Sequence, residues 1–156
     1  MDYAYPCILT PDEDEKGTCF VVNFPDVPEA ITGARTREES LLLAEDALVA
    51  ALSMYVDADE DVPAPSAPAG GQELITVPPQ AAAQLALYTA MRREGKSIHD
   101  LARSLGIRES KARRLLDFSR PSRLDHFLAA LRALDRTLIV RDGAASGRTP
   151  ARAATG

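Results

Sequence analysis

The side chains able to do chemistry in this 156-residue chain fall into three groups. One is a carboxylate run, Asp12-Glu13-Asp14-Glu15. Another is a scatter of two cysteines, Cys7 and Cys19, and two histidines, His99 and His126. The third is the stretch at residues 97–116, SIHDLARSLGIRESKARRLL, which carries Arg103, Arg108, Lys111, Arg113 and Arg114 around a single glycine. A calcium loop needs oxygen ligands at its first, third and fifth positions and a glutamate at its last. Counted from Asp12, the fifth position is Lys16 and the last is Asn23, so the run reads as a solvated turn. A nuclease-type metal site needs carboxylates converging from strand interiors, and none lies between Tyr3 and Thr10 or between Thr18 and Phe24. The Cys and His residues lack zinc spacing and the cysteines read as reduced apolar residues. The expectation is a non-enzyme with no metal and no cofactor. What remains is ionic recognition.

The charge distribution says of what. The net charge of −5 hides two opposite halves. Residues 1–77 hold 3 basic and 16 acidic residues, a net of −13; residues 78–156 hold 15 basic and 7 acidic, a net of +8. An acidic half repels nucleic acid and attracts a basic protein, and a basic half does the reverse. Between them, residues 57–72 (DADEDVPAPSAPAGGQ) mix acids, prolines and glycines in the manner of a linker. The expected division is a partner-binding domain at 1–62, a Pro-rich linker with a short strand at 63–77, a DNA-binding domain at 78–142 and a disordered basic tail at 143–156. No run of about 18 apolar residues is present to span a membrane. The first residues lack the basic and apolar regions of a signal peptide, so a cytoplasmic location is expected.

The elements that must position these groups follow from local pattern. Alternation over Tyr3–Thr10 and Thr18–Phe24 predicts a β-hairpin, with Pro6 leaving one side of its strand open. Residues 29–33 supply a short third strand. Thr36-Arg37-Glu38-Glu39 has the form of a capping box, and Leu41, Ala44, Leu48, Ala51, Leu52 and Tyr55 follow at helical spacing. The acidic half is thus a small antiparallel sheet with one helix packed on it.

In the basic half, Pro79 starts a helix that Gly95 stops. Ser97 caps a second, with Asp100 at its third position. Gly106 suits a turn with positive φ, and Ala102 a close helix–helix approach. Ile107, Ala112 and Leu115 give the next helix its inward face, and Leu124, Phe127, Leu128, Leu131 and Leu134 form the last. This is the pattern of a helix-turn-helix, which places its second helix in the major groove. Arg108, Glu109, Ser110, Lys111 and Arg114 are the candidates for base edges. Arg113 is the candidate for phosphate, as are Arg120 and Ser122, and Ser97 is a further DNA-binding candidate. Residues 137–141, TLIVR, have strand character and an edge able to pair across a two-fold axis or with residues 73–77.

The order of these parts, and above all the run FVVNFPDVPEAITGARTREESLLLAEDALVAAL, resembles the HicB family of bacterial antitoxins. Phe24, Pro25, Asp26, Pro28, Glu29, Ala30, Thr32, Gly33, Thr36, Glu38 and Glu39 carry the resemblance, which covers about residues 3–141. It implies an α+β protein: a partial RNase H-like N-terminal domain without catalysis and an all-α, Xre-like helix-turn-helix C-terminal domain. It implies as partners a small basic HicA-like toxin that cleaves mRNA, double-stranded operator DNA, and a second copy in a homodimer or higher oligomer. Candidate toxin contacts are Asp12, Asp14, Phe24, Asp26, Glu29 and Glu38, with Glu13, Glu45 and Asp46 beside them. The alternative is a stand-alone helix-turn-helix regulator with an N-terminal sensing or oligomerisation domain.

Overall fold

The computed structural model describes residues 1–143; the expected basic tail lies almost wholly outside them. Four strands form one antiparallel sheet in the order β3-β2-β1-β4, with β1 at Ala4–Asp14, β2 at Gly17–Asn23, β3 at Ile31–Ala34 and β4 at Glu73–Thr76. The hairpin pairs Ile8 with Asn23 through to Asp14 with Gly17, so β1 runs further toward the turn than its alternation suggests.

The other half of β1 pairs with β4, Ala4 with Thr76 through to Cys7 with Glu73. No β1 residue belongs to both ladders. Val77 N–H donates to the Tyr3 carbonyl at 2.8 Å, which fixes the odd-numbered β1 residues as the hydrogen-bonded pairs of that ladder. Pro6 therefore falls at a position where no donor toward β4 is needed, and a proline is tolerated inside a central strand.

Helix α1, Arg37–Asp57, packs on this sheet. Thr36 caps it, its hydroxyl accepting from Glu39 N–H at 3.2 Å. Leu41, Ala44, Leu48, Ala51 and Leu52 are buried against Tyr5, Cys7, Val22, Phe24, Val27 and Ala30. Ser40 is a buried joint that periodicity does not reveal. Its hydroxyl accepts from Ala34 N–H at 3.0 Å and faces the carbonyls of Phe20 and Thr36 at 3.1 and 2.8 Å. One side chain thus ties α1 to β2 and β3. Ser40→Ala leaves the half-buried Ala34 N–H without its acceptor and is expected to cost about 1–3 kcal/mol, read as a lower urea midpoint; an unchanged midpoint contradicts the joint.

Helix α2, Pro79–Arg93, serves two cores. Ala81 and Leu85 complete the sheet core. Ala83, Leu87, Ala90 and Met91 face a second core with Leu101, Ala102, Ala112, Leu115, Phe127 and Leu131. That core is closed by α3 (Ile98–Leu105), α4 (Glu109–Arg113), a 3-10 turn at Arg114–Leu116 and α5 (Leu124–Arg132). Buried Gln84 fastens α2 to the turn, its amide donating to the Asp117 carbonyl at 2.9 Å.

Three sequence expectations change. The segment at 63–77 is not a free linker. Its strand joins the sheet as β4, and the extended chain before it is pinned. The Tyr5 hydroxyl donates to the Pro63 carbonyl at 2.8 Å, and Asp26 accepts from the Ser66 N–H and hydroxyl at 2.8 and 3.0 Å. Tyr88 donates to the Glu60 carbonyl at 2.7 Å, while Arg92 pairs with Asp59 and Asp61 at 2.7 Å each. The third strand starts later than residue 29, because Val27 N–H and Ala30 N–H close turns onto the Phe24 and Val27 carbonyls. Residues 137–141 run without regular structure instead of forming a strand.

Candidate nucleic-acid and partner surfaces

The basic surface is built on α3, α4 and the loop that follows. Ser97 and Asp100 form a complete capping box: Ser97 Oγ accepts from Asp100 N–H at 3.1 Å, and the Asp100 carboxylate accepts from Ser97 N–H at 2.9 Å. The Ser97 hydroxyl also donates to that carboxylate at 2.7 Å, so Ser97 is committed to the helix end it was assigned. The same bonds hold the Asp100 carboxyl below its usual range. Gly106 ends α3 with φ +63°, the left-handed conformation that side chains disfavour. Ala112 and Leu115 are buried beneath α4. Arg108, Glu109, Ser110, Lys111, Arg113 and Arg114 are all exposed. Helix α4 is shorter than its apolar spacing suggests, because the chain tightens into the 3-10 turn at Arg114.

Glu109 is engaged. His99 Nδ1 lies 2.5 Å from Glu109 Oε1, and Arg103 Nη2 lies 2.8 Å from His99 Nε2. Arg103 supplies only donors, so Nε2 accepts and Nδ1–H donates to Glu109. This bridge steadies α3 against α4 and takes Glu109 away from any base edge. The His99–Glu109 contact is not legible in the sequence, because it forms only once the turn is closed.

Beyond α4, Lys111, Arg114, Arg120, Ser122, Arg123 and His126 come together around one cavity of about 390 Å³. Asp117 anchors the loop, accepting from the Ser119 hydroxyl at 2.5 Å and N–H at 3.0 Å, bonds that hold its carboxyl below the usual range.

The acidic surface is more occupied than its sequence suggests. Asp14 is clamped by Arg35, with Nη1–Oδ1 at 2.8 Å and Nη2–Oδ2 at 2.7 Å, and its carboxyl is held low by that pairing. Asp26 holds Ser66. Glu29 accepts from the Tyr55 hydroxyl at 2.7 Å, which pushes that phenol up to about 12. Phe24 is 1% exposed and belongs to the core, which corrects its assignment as a partner contact. Asp12, Glu13, Glu38, Glu45 and Asp46 remain exposed. Beside them on α1, Leu42 and Leu43 are 74% and 44% exposed. The run Leu41-Leu42-Leu43 carries that signal in sequence, since a helix face cannot bury three consecutive residues.

Among the described residues no cluster of His, Cys, Asp and Glu is arranged to hold a metal ion, and no helix is long and apolar enough to cross a membrane.

Comparison with known proteins fits this arrangement. Residues 4–86 match the family described as "HicB_like antitoxin of bacterial toxin-antitoxin system". Antitoxin HicB 2 of Photorhabdus laumondii is 39% identical over 127 residues, 81% of this chain and 88% of that protein. Antitoxin HicB 1 of the same organism is 34% identical, over 78% of this chain and 75% of its own. Antitoxin HicB of Escherichia coli K12 is 32% identical, over 86% and 95%. The matched region contains the whole sheet, α1 and the start of α2, and the relatives extend through the basic helices, so this chain belongs to the HicB-like antitoxin family.

Proposed function

We propose that the protein is a two-sided antitoxin. Its sheet half neutralises a small basic, RNA-cleaving toxin of HicA type, and its helical half binds operator DNA and represses the operon that encodes both. The observation that carries this reading is the partition of charge within a family of antitoxins: −13 on residues 1–77 and +8 on residues 78–156. A protein that cleaves RNA must hold phosphate on a basic surface, and an acidic surface covers it and speeds the encounter.

On the sheet half, the toxin docks against the outer face of α1 and the hairpin. Leu42 and Leu43 supply an apolar centre there, and Glu38, Glu45 and Asp46 an acidic rim. In this reading the sheet and α1 are a partial RNase H-like unit that acts by binding alone. On the helical half, α3 and α4 act as an Xre-like helix-turn-helix. Arg108 and Ser110, at the start of α4, approach base edges, and Arg113 meets phosphate. The protein works in the cytoplasm as a homodimer or higher oligomer, with exposed Ile139 and Val140 available to a second copy.

A footprint on the promoter of its own gene tests the DNA half. Two protected half-sites about 10 bp apart, centre to centre, or a multiple of that, are expected. Protection without two-fold symmetry contradicts the dimer. Glu38→Lys with Glu45→Lys tests the toxin half: reversed charge on the α1 rim is expected to weaken toxin capture at least tenfold, and unchanged capture moves the interface elsewhere.

A further inference from the structure

The cavity of about 390 Å³ beyond α4 has an unusual lining. Lys111 comes from α4, Arg114 from the 3-10 turn, and Arg120 and Arg123 from the loop that leads to α5. Ser122 adds a hydroxyl and His126 a ring, and no carboxylate among the described residues lines the cavity. Four cations from three elements share this lining.

Their partners outside are weak. Arg120 Nε lies 3.6 Å from Asp117 Oδ2, while Ser119 holds the other oxygen, and Arg123 Nε lies 3.1 Å from Asp125. Both pairs are exposed, and such pairs contribute little. Among the described residues Lys111 and Arg114 form no ion pair. The rest of the lining is apolar, from Leu105, Ile107, Leu115, Pro121 and Ala129. A concave site lined by cations and by aliphatic carbon suits a phosphate carrying an organic group.

We propose that this cavity is a seat for a nucleotide phosphate, held by Lys111, Arg114, Arg120 and Arg123. The phosphate comes either from the DNA backbone, in which case the inference rests on the DNA-binding reading above, or from a free nucleotide that would then compete with DNA for Lys111 and Arg114. Either source assigns Lys111 and Arg114 to phosphate and leaves the start of α4 to the bases.

The test uses the full-length chain with two probes, a short random-sequence DNA duplex followed by fluorescence anisotropy across a salt series and adenosine monophosphate followed by calorimetry. The variant pair is Arg120→Ala with Arg123→Ala. Both side chains are exposed, so the fold is expected to survive, and circular dichroism checks it. Arg132→Ala with Arg136→Ala removes the same charge away from the cavity.

If the seat takes DNA, the cavity pair loses about ten- to a hundredfold in duplex affinity and its log–log salt slope falls by about 2, while the matched pair loses far less. If the seat takes a free nucleotide, the cavity pair loses adenosine monophosphate binding. Equal losses in both pairs on both probes, or duplex and nucleotide binding both unaffected by the cavity pair, overturn the seat and leave the DNA reading standing. A wild-type chain that binds the nucleotide but no duplex keeps the seat and overturns the DNA reading. A wild-type chain that binds neither overturns both.

Discussion

Leu85→Ala is expected to lower the stability of the whole protein by about 2–5 kcal/mol. Leu85 has no exposed surface and sits where α2 meets the sheet core. Truncation removes the transfer free energy of its side chain and leaves a cavity between α2 and the sheet. Neighbouring Ala81 is too small to fill it, and Leu87 and Met91 belong to the second core. In a chain of this length each kcal/mol moves the thermal midpoint by about 2–4 °C, so the loss should be plain in a melt followed by circular dichroism.

The shape of that melt is informative too. Because α2 contributes to both cores, sheet and helices are expected to unfold in one transition, and Leu85→Ala should shift all of it. Two transitions, with only one displaced, would show that the halves fold independently and that α2 does not couple them.

Arg108→Ala is expected to cost about 1–3 kcal/mol in binding to the promoter of the protein's own gene, and little on random duplex. Arg108 is exposed, precedes α4 at its N-cap position and lies outside the basic cavity. If α4 enters the major groove as proposed, the residue just before its first turn is the one to make a bidentate bond to a guanine. Arg114→Ala serves as the contrast. Arg114 lines the cavity, so its removal should weaken both duplexes alike. Equal loss on both duplexes for Arg108→Ala would move base reading elsewhere on the helical half.

Local chemistry was legible in the sequence wherever partners are near neighbours. Thr36 and Ser97 cap the helices they precede, Gly106 takes the left-handed turn, and the α1 stripe from Leu41 to Leu52 is buried. Each depends on residues within a turn or two, where propensity and spacing are informative.

The misses depend on distant partners. Glu73–Thr76 is too short to advertise its place in a sheet, and its pairing with Ala4–Cys7 spans most of the acidic half. Residues 57–72 have the composition of a linker, yet Tyr5, Asp26, Tyr88 and Arg92 hold them. Phe24 follows the β2 alternation into the core, although its place in the FPD run invited a surface role. A carboxylate in sequence also does not show whether it is free. Asp14 is held by Arg35, 21 residues away, and Glu29 by Tyr55, 26 residues away.

The central claim is that the acidic half silences a basic, RNA-cleaving partner. The most direct measurement starts from the genes that adjoin this one: if one encodes a small basic protein, its cleavage of mRNA is followed with and without one equivalent of the full-length chain. Cleavage by that protein alone, abolished by the chain and restored when Glu38→Lys and Glu45→Lys reverse the α1 rim, is the predicted result. Cleavage that continues undiminished in the presence of the wild-type chain, or an adjoining gene that encodes no such protein, would contradict the account and favour a stand-alone regulator.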